Sequence, residues 1–134
     1  MLAEQILAIN ATTRKLCKNS ENGAVISQKM RFLYLVRNDV LAPKALVNEL
    51  CIAKPNLTIL ARTMVAEGLI EKLRSDDDMR SVHYKITDKG LEELNRMIVA
   101  LDQSVAKQLN LDDNDIQKGE KLLETAINFL NGVE

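Results

Sequence analysis

There is no tryptophan among the 134 residues, and phenylalanine and tyrosine supply two residues each. With so few aromatic rings, a core must be built from Leu, Ile, Val, Ala and Met, which suits packed helices better than a β-sandwich. Cysteine and histidine are nearly as scarce. Cys17 and Cys51 lack CxxC spacing and His83 is the single histidine, so a zinc site lacks ligands and no metal is expected. No apolar run approaches the roughly 18 residues that would argue for a membrane-spanning helix. The N-terminus shows no basic region followed by an apolar stretch and a cleavage site, so a cytoplasmic protein is expected. There is no glycine-rich phosphate loop, no paired-carboxylate site and no nucleophile arranged around His83. An enzyme, or a cofactor to serve one, is therefore not expected.

What is present is a 46% apolar content, enough to bury a core, and 28% charged residues. A chain of this length is expected to form one domain, 1–134. Its net charge of −1 hides a gradient: +4 over residues 1–37, neutral over 38–90, and −5 over 91–134. The acid gathers at one end, so any nucleic-acid surface depends on where Lys54, Arg62, Lys72, Arg74 and Arg80 point.

The central stretch organises the rest. Pro43 to Cys51 reads as a two-turn helix opened by proline, with Leu46, Val47 and Leu50 inward. Ile52, Ala53 and Lys54 make a tight turn. A second helix starts near Pro55, buries Leu57, Leu60, Ala61 and Met64, and stops at Gly68. Its other face carries Asn56, Thr58, Ile59, Arg62 and Thr63. Asn and Arg can pair with adenine and guanine edges, and Thr and Ile methyls can meet a thymine methyl. An ordinary solvated face would have much the same composition. Leu69 to Arg74 and Val82 to Ile86 alternate as strands around a polar loop, a hairpin without a two-residue turn signal. A helix-turn-helix followed by such a hairpin is a winged helix-turn-helix.

Helices flank this lobe. Leu2 to Lys18 carries an apolar stripe through Leu2, Ile6, Ile9 and Leu16. Ala24 to Arg37 follows, with Val25, Ile26, Met30, Leu33 and Val36 inward and core packing expected for Phe32 and Tyr34. After the hairpin, Thr87 caps a long helix in which Leu91, Leu94, Ile98, Leu101 and Val105 repeat at heptad spacing. Asp112 and Asp113 open a last helix with Ile116, Leu122, Leu123, Ile127 and Leu130 on its apolar side. The expected fold is mainly α with a small β-hairpin wing. Residues 1–37 form N-terminal core and dimerisation helices, 38–90 the reading lobe, and 91–134 the C-terminal dimerisation helices.

The step Glu67-Gly68-Leu69-Ile70 after the second helix resembles the EGLI/KGLV step between recognition helix and wing. Asp78-Met79-Arg80, then Ile86-Thr87 and Gly90, resembles a D-x-R…L-T-x-x-G pattern. Both are similar to the MarR family, the multiple-antibiotic-resistance-type regulators, and the resemblance covers essentially the whole chain. It implies a homodimer on double-stranded DNA, with a palindromic operator following from two-fold symmetry. It implies that Arg80, oriented by Asp78, enters a minor groove. By position, Lys54, Asn56, Thr58, Ile59 and Arg62 match the family's recognition face; Ile59 stands where many members carry a basic residue. Thr63 and, on the wing, Arg74 are further DNA-binding candidates. Lys44 and Lys72 are phosphate candidates, with Lys44 and Lys54 placed at helix starts where the dipole helps. The family also implies a small, often aromatic, acid as effector, in a pocket for which Ile9, Thr12, Thr13, Leu16 and Phe32 are the candidates here. Two other readings stand beside a repressor of this kind. One is a thiol switch at Cys17, although the C-terminal end of a helix is a poor place for a thiolate. The other is a winged helix that binds protein rather than DNA.

Overall fold

The computed structural model describes residues 1–18, 26–74 and 81–132. The elements run α1 (Leu2–Lys18), α2 (Gln28–Val36), α3 (Pro43–Leu50), α4 (Lys54–Ala66), β1 (Ile70–Arg74), β2 (Val82–Ile86), α5 (Asp88–Leu109) and α6 (Asp113–Leu130). They divide into two compact units, Val25–Ala100, and Met1–Ala24 with Leu101–Glu134. The unit Val25–Ala100 thus takes in α2 and the first turns of α5 beside the helix-turn-helix and the hairpin. The reason is that α2 supplies its core.

In that unit Phe32, Leu33 and Val36 of α2 pack with Leu46 and Leu50 of α3, and with Leu57, Ala61 and Met64 of α4. Leu69, Ile70, Tyr84 and Leu94 complete the core, every one of these side chains buried. Phe32 meets Tyr84 edge to face, ring centroids 5.8 Å apart. Such a pair adds about 0.5–1.5 kcal/mol to its area burial, so two of the four aromatic residues are spent at one point. Tyr34 is not core, contrary to expectation: it is 50% exposed, with the Arg37 guanidinium 3.6 Å above its ring. The start of α2 also differs from the expected Ala24. The Ser27 hydroxyl accepts from the Met30 N–H at 3.1 Å, and this cap opens the helix at Gln28. Residues 24 and 25 lie outside the described residues.

The turn of the helix-turn-helix is closed by Cys51, which takes the left-handed conformation at φ 54°. At its other end α4 stops in a Schellman motif. Gly68 is at φ +77°, its N–H donates to the Val65 carbonyl, and Leu69 N–H donates to the Met64 carbonyl, both at 3.0 Å. Leu69 and Met64 are both buried, which supplies the apolar contact of that motif.

From there β1 pairs antiparallel with β2 in the register Ile70↔Ile86, Lys72↔Tyr84 and Arg74↔Val82. Leu41 adds a one-residue bridge to Tyr84, with bonds of 2.8 and 3.1 Å. This isolated bridge ties the segment before Pro43 to β2 of the two-stranded hairpin.

The hairpin returns onto the end of α4 through a dense crossing. Thr87 N–H donates to the Leu69 carbonyl at 3.1 Å, and the Thr87 hydroxyl donates to the Gly68 carbonyl at 2.6 Å. The same hydroxyl caps α5 by accepting from Gly90 N–H at 3.0 Å. Gly90 lies so close that a Cβ built on it would sit 2.0 Å from the Leu69 carbonyl oxygen. The two halves of the recurring pattern, Gly68-Leu69 and Thr87…Gly90, are the two sides of one backbone contact.

The other unit is laid out differently. The turn between α5 and α6 places Asn110 at φ 53°, with Leu111 N–H donating to the Ala106 carbonyl at 2.9 Å. Asn here takes the position glycine holds after α4. A reciprocal capping box opens α6: Asp115 N–H donates to Asp112, and Asp112 N–H to Asp115, at 2.8 and 3.1 Å. Near the end of α5, Gln108 donates to the Leu16 carbonyl of α1 at 2.8 Å and to the buried Ser104 hydroxyl at 3.1 Å. Neither α1 nor α6 has a buried residue. Leu2, Leu7, Leu122, Leu123, Ile127 and Phe129 are all more than half exposed.

Gly90→Ala drives a methyl group into backbone that has no side chain to move aside. The substitution is expected to cost about 3 kcal/mol or more, at the upper end for overpacking. Urea denaturation followed by circular dichroism checks it; a loss below about 1 kcal/mol would contradict the crossing as described.

Candidate nucleic-acid interface

The residues expected on the reading face of α4 are where sequence spacing puts them. Lys54, Asn56, Thr58, Ile59, Arg62 and Thr63 are all exposed, Ile59 at 63%. Leu57, Ala61 and Met64 anchor the opposite side. The two threonine hydroxyls are partly committed. Thr58 donates to the Lys54 carbonyl at 3.1 Å and Thr63 to the Ile59 carbonyl at 3.0 Å. What they keep for a partner is an acceptor lone pair and a methyl group.

Both helices of the motif begin without a side-chain cap. Ala42 and Ala53 are the N-caps of α3 and α4, each followed by proline in the first two positions. Alanine offers the first-turn N–H groups no acceptor, so they remain available to an outside anion. Lys44 and Lys54 stand exposed in those same turns.

The C-terminal end of α4 is held by cations from two other helices. Lys29 of α2 pairs with the Glu67 carboxylate at 2.7 Å. Lys89 of α5 donates to the Glu67 carbonyl at 2.8 Å, where the helix dipole is negative. The ion pair is partly exposed, so its contribution to stability is small; its geometric role is to tie α2 to the end of the reading helix. Neither lysine was signalled by motif or periodicity, because their partner lies tens of residues away.

On the hairpin, Lys72 and Arg74 share a face with Ile70, Val82 and Tyr84, while Glu71 and Leu73 stand on the other face with His83 and Lys85. Burial pushes the Tyr84 phenol above its usual range, and the nearby Arg74 charge pulls it part of the way back. The wing-tip candidates Asp78 and Arg80 lie outside the described residues.

Of the candidate effector residues, Ile9, Thr12, Thr13 and Leu16 belong to α1 and Phe32 to α2. Ile9, Thr12 and Thr13 are exposed on α1, with Thr13 donating to the Ile9 carbonyl at 2.8 Å; Leu16 is half-buried in the last turn of α1. Phe32 is fully buried in the core of the reading lobe. The lobe itself contains a cavity of about 390 Å³ between α2, α3 and α5, with Met30, Tyr34, Leu50, Leu94 and Ile98 in its wall and Arg31 and Glu49 as its charged groups. The i,i+4 pairs Met30/Tyr34 and Leu94/Ile98 were the available signal, but at sequence level they read as core. Cys17 is half-buried and Cys51 exposed, both as free thiols. No described helix is long and apolar enough to cross a membrane.

Phe32→Ala removes the largest fully buried ring and is expected to cost about 3–5 kcal/mol. Urea denaturation measures it; a loss under about 1 kcal/mol would mean that Phe32 faces a cavity rather than the core.

No family model matches the chain. It is 26% identical over 112 residues to the HTH-type transcriptional regulator FarR of Neisseria gonorrhoeae, covering 78% of this chain and 77% of that one. Among solved structures it resembles the multiple antibiotic resistance repressor MarR with TM-score 0.70 and 22% identity, over 94% of both chains. It also resembles a cysteine-to-serine mutant of MarR from E. coli complexed with operator DNA, with TM-score 0.61 and 22% identity over 93% of this chain and 92% of that one. Helix order, the paired hairpin and near-complete coverage agree: the chain has the winged helix-turn-helix fold of the MarR-type regulators.

Proposed function

We propose that the chain is a MarR-family transcriptional regulator that binds double-stranded DNA sequence-specifically as a homodimer, represses, and is released by a small-molecule effector. The observation that carries the reading is α4 itself. It is fixed along one side by Leu57, Ala61 and Met64, and shows solvent a side of Asn56, Thr58, Ile59, Arg62 and Thr63. A rigid helix with that composition suits a major groove. The uncapped starts of α3 and α4, with Lys44 and Lys54, suit the flanking phosphates. Arg80 and Asp78 keep the wing roles that the resemblance implies, and such a regulator would act in the cytoplasm.

The second copy is supported by α1 and α6. Both are amphipathic, neither buries a residue, and Leu122, Leu123, Ile127 and Phe129 line α6 at 56–72% exposure. An apolar stripe of that extent marks an interaction surface. The cavity between α2, α3 and α5 supports an effector, because an apolar wall with few charged groups is the usual form of a small-molecule site.

The test is selection from a pool of random duplex DNA at low and physiological salt, with the native chain, Arg62→Ala and Arg80→Ala. Recovery of a palindrome by the native chain is expected. Arg62→Ala should relax preference at one position, about 1–3 kcal/mol for a lost bidentate base contact. Arg80→Ala should weaken binding to sites with narrow, A·T-rich minor grooves. No binding at either salt would favour a winged helix that binds protein. Sedimentation equilibrium tests the second copy: the native chain is expected at twice the mass of one chain, and Ile127→Asp should shift it to monomer by placing charge in the apolar stripe.

A further inference from the structure

Resting on that reading, we infer that Glu67 is a positioning residue for base readout: through Lys29 and Lys89 it holds the far end of the reading helix to α2 and α5. Glu67 is the C-cap of α4, one helix length from the N-cap Ala53. Its carboxylate meets Lys29 Nζ at 2.7 Å, and its carbonyl accepts from Lys89 Nζ at 2.8 Å. Lys29 stands in the first turn of α2 and Lys89 in the first turn of α5. One residue thus gathers a cation from each of two helices remote from it in sequence.

Local rules put none of these three charges where it stands. A helix is positive at its start and negative at its end. Lys29 and Lys89 are cations at helix starts, and Glu67 is an anion at a helix end. The reverse pair, Glu at 29 and Lys at 67, would suit each helix in isolation. The observed order gains only while the starts of α2 and α5 lie against the end of α4, where the lysines meet the carboxylate and the last carbonyl. Separation would return every charge to the unfavourable end of its own helix. The ties therefore serve the spacing between helices rather than any one helix.

The consequence is mechanical. Apolar contact is non-directional, so Leu57, Ala61 and Met64 decide which side of α4 faces the core more than they decide its tilt. α4 has 13 residues, about 20 Å of helix. A tilt of about 5° at Glu67 displaces the first turn by roughly 1.7 Å, and a hydrogen bond of about 2.9 Å to a base edge does not survive that. The crossing at Thr87 ties this end of α4 to the hairpin and α5; the Lys29–Glu67 pair adds α2. α2 and α5 also wall the cavity through Met30, Tyr34, Leu94 and Ile98, whereas no described residue of α4 lines it. Glu67 is where both of those helices reach the reading helix through polar groups.

The experiment compares the affinity of the full chain for the selected palindrome and for a random-sequence duplex, between about 50 and 200 mM KCl. Variants are Lys29→Met, Glu67→Gln, the two together, and Lys29→Arg. Arg96→Met is the control, because it breaks the exposed Arg96–Glu93 pair of α5 and removes the same charge as Lys29→Met. The Lys29–Glu67 pair is partly exposed, so each variant should melt within a few degrees of the native chain. Lys29→Met lowers the net charge and Glu67→Gln raises it, so a general charge effect would move DNA affinity in opposite directions. A positioning role moves both the same way. Each should lower the palindrome-to-random affinity ratio by about tenfold, the scale of one misaligned base contact. The double variant should lose no more than either alone. Lys29→Arg and Arg96→Met should keep the native ratio. The salt slope on the random duplex should be native in Lys29→Met, because no phosphate contact is lost. An unchanged ratio in Lys29→Met or Glu67→Gln overturns the inference. So does an equal loss in Arg96→Met, an additive loss in the double variant, or a loss that tracks a large fall in melting temperature. In those cases the native chain still selects its palindrome and the regulator reading stands. No palindrome selected by the native chain overturns both.

Discussion

The reading lobe depends on a crossing of two backbones. The chain leaves α4 through Gly68 and Leu69, makes the hairpin, and returns across the same residues at Thr87 to Gly90. Three hydrogen bonds join at the Thr87 hydroxyl and amide, and the absent side chain of Gly90 lets α5 lie against the Leu69 carbonyl. The hydroxyl donates to one element and accepts from another, so a single side chain sets the exit of β2, the start of α5 and the end of α4. Burial alone could not do this. Apolar contact is non-directional, whereas the reading helix needs a defined angle to the hairpin beside it.

The electrostatics of α4 follow from the same arrangement. Its C-terminal end is closed by the Schellman turn, the Lys89 contact and the Lys29–Glu67 pair. Its N-terminal end is left without a side-chain cap. The negative pole of the helix is thus satisfied inside the protein, and the positive pole has no side-chain acceptor. A cap of Ser or Asp at Ala53 would add stability in the free chain and would compete with a phosphate for the same N–H groups. The missing cap costs about 1 kcal/mol of stability and, in the function proposed above, leaves those N–H groups to a phosphate.

Much of this was legible because local rules and tertiary packing agreed. Gly68 as a helix stop, Thr87 as a cap, Asp112 at the opening of α6 and the side of α4 that buries Leu57, Ala61 and Met64 are local features that a sequence displays directly. The recurring Gly68-Leu69 and Thr87…Gly90 pattern was visible as a pattern; its cause, a contact between backbone atoms, leaves no trace in side-chain chemistry. Where the reading departed from the structure, a tertiary choice decided. Tyr34 and Phe32 are two residues apart on one helix and looked alike, yet one meets Tyr84 in the core and the other stacks under Arg37. The cavity between α2, α3 and α5 was hidden for a related reason: Leu94 and Ile98 have heptad spacing whether their neighbour is a helix or a solvent-open cleft. The Lys29–Glu67 pair spans a separation at which sequence carries no pairing signal.

The cavity and the crossing meet on one helix. Leu94 and Ile98 lie one and two turns beyond Gly90, so a ligand touching them touches the element that the crossing aligns with the end of α4. For such a ligand to act it must bind one arrangement of α5 better than the other; equal affinity shifts nothing. A hundredfold release from DNA requires a difference of about 2.8 kcal/mol. At about 25 cal/mol per Å² of apolar surface, that is the burial of roughly 110 Å² more in one state. A cavity of about 390 Å³ with an apolar wall is large enough to supply it. A tight core is bistable rather than continuously deformable, and Gly90 makes the crossing one of the tightest points of the lobe. A change in α5 would therefore reach the hairpin and α4 as a shift between arrangements, and a ligand that merely fills the cavity without preferring one of them would leave DNA affinity where it was.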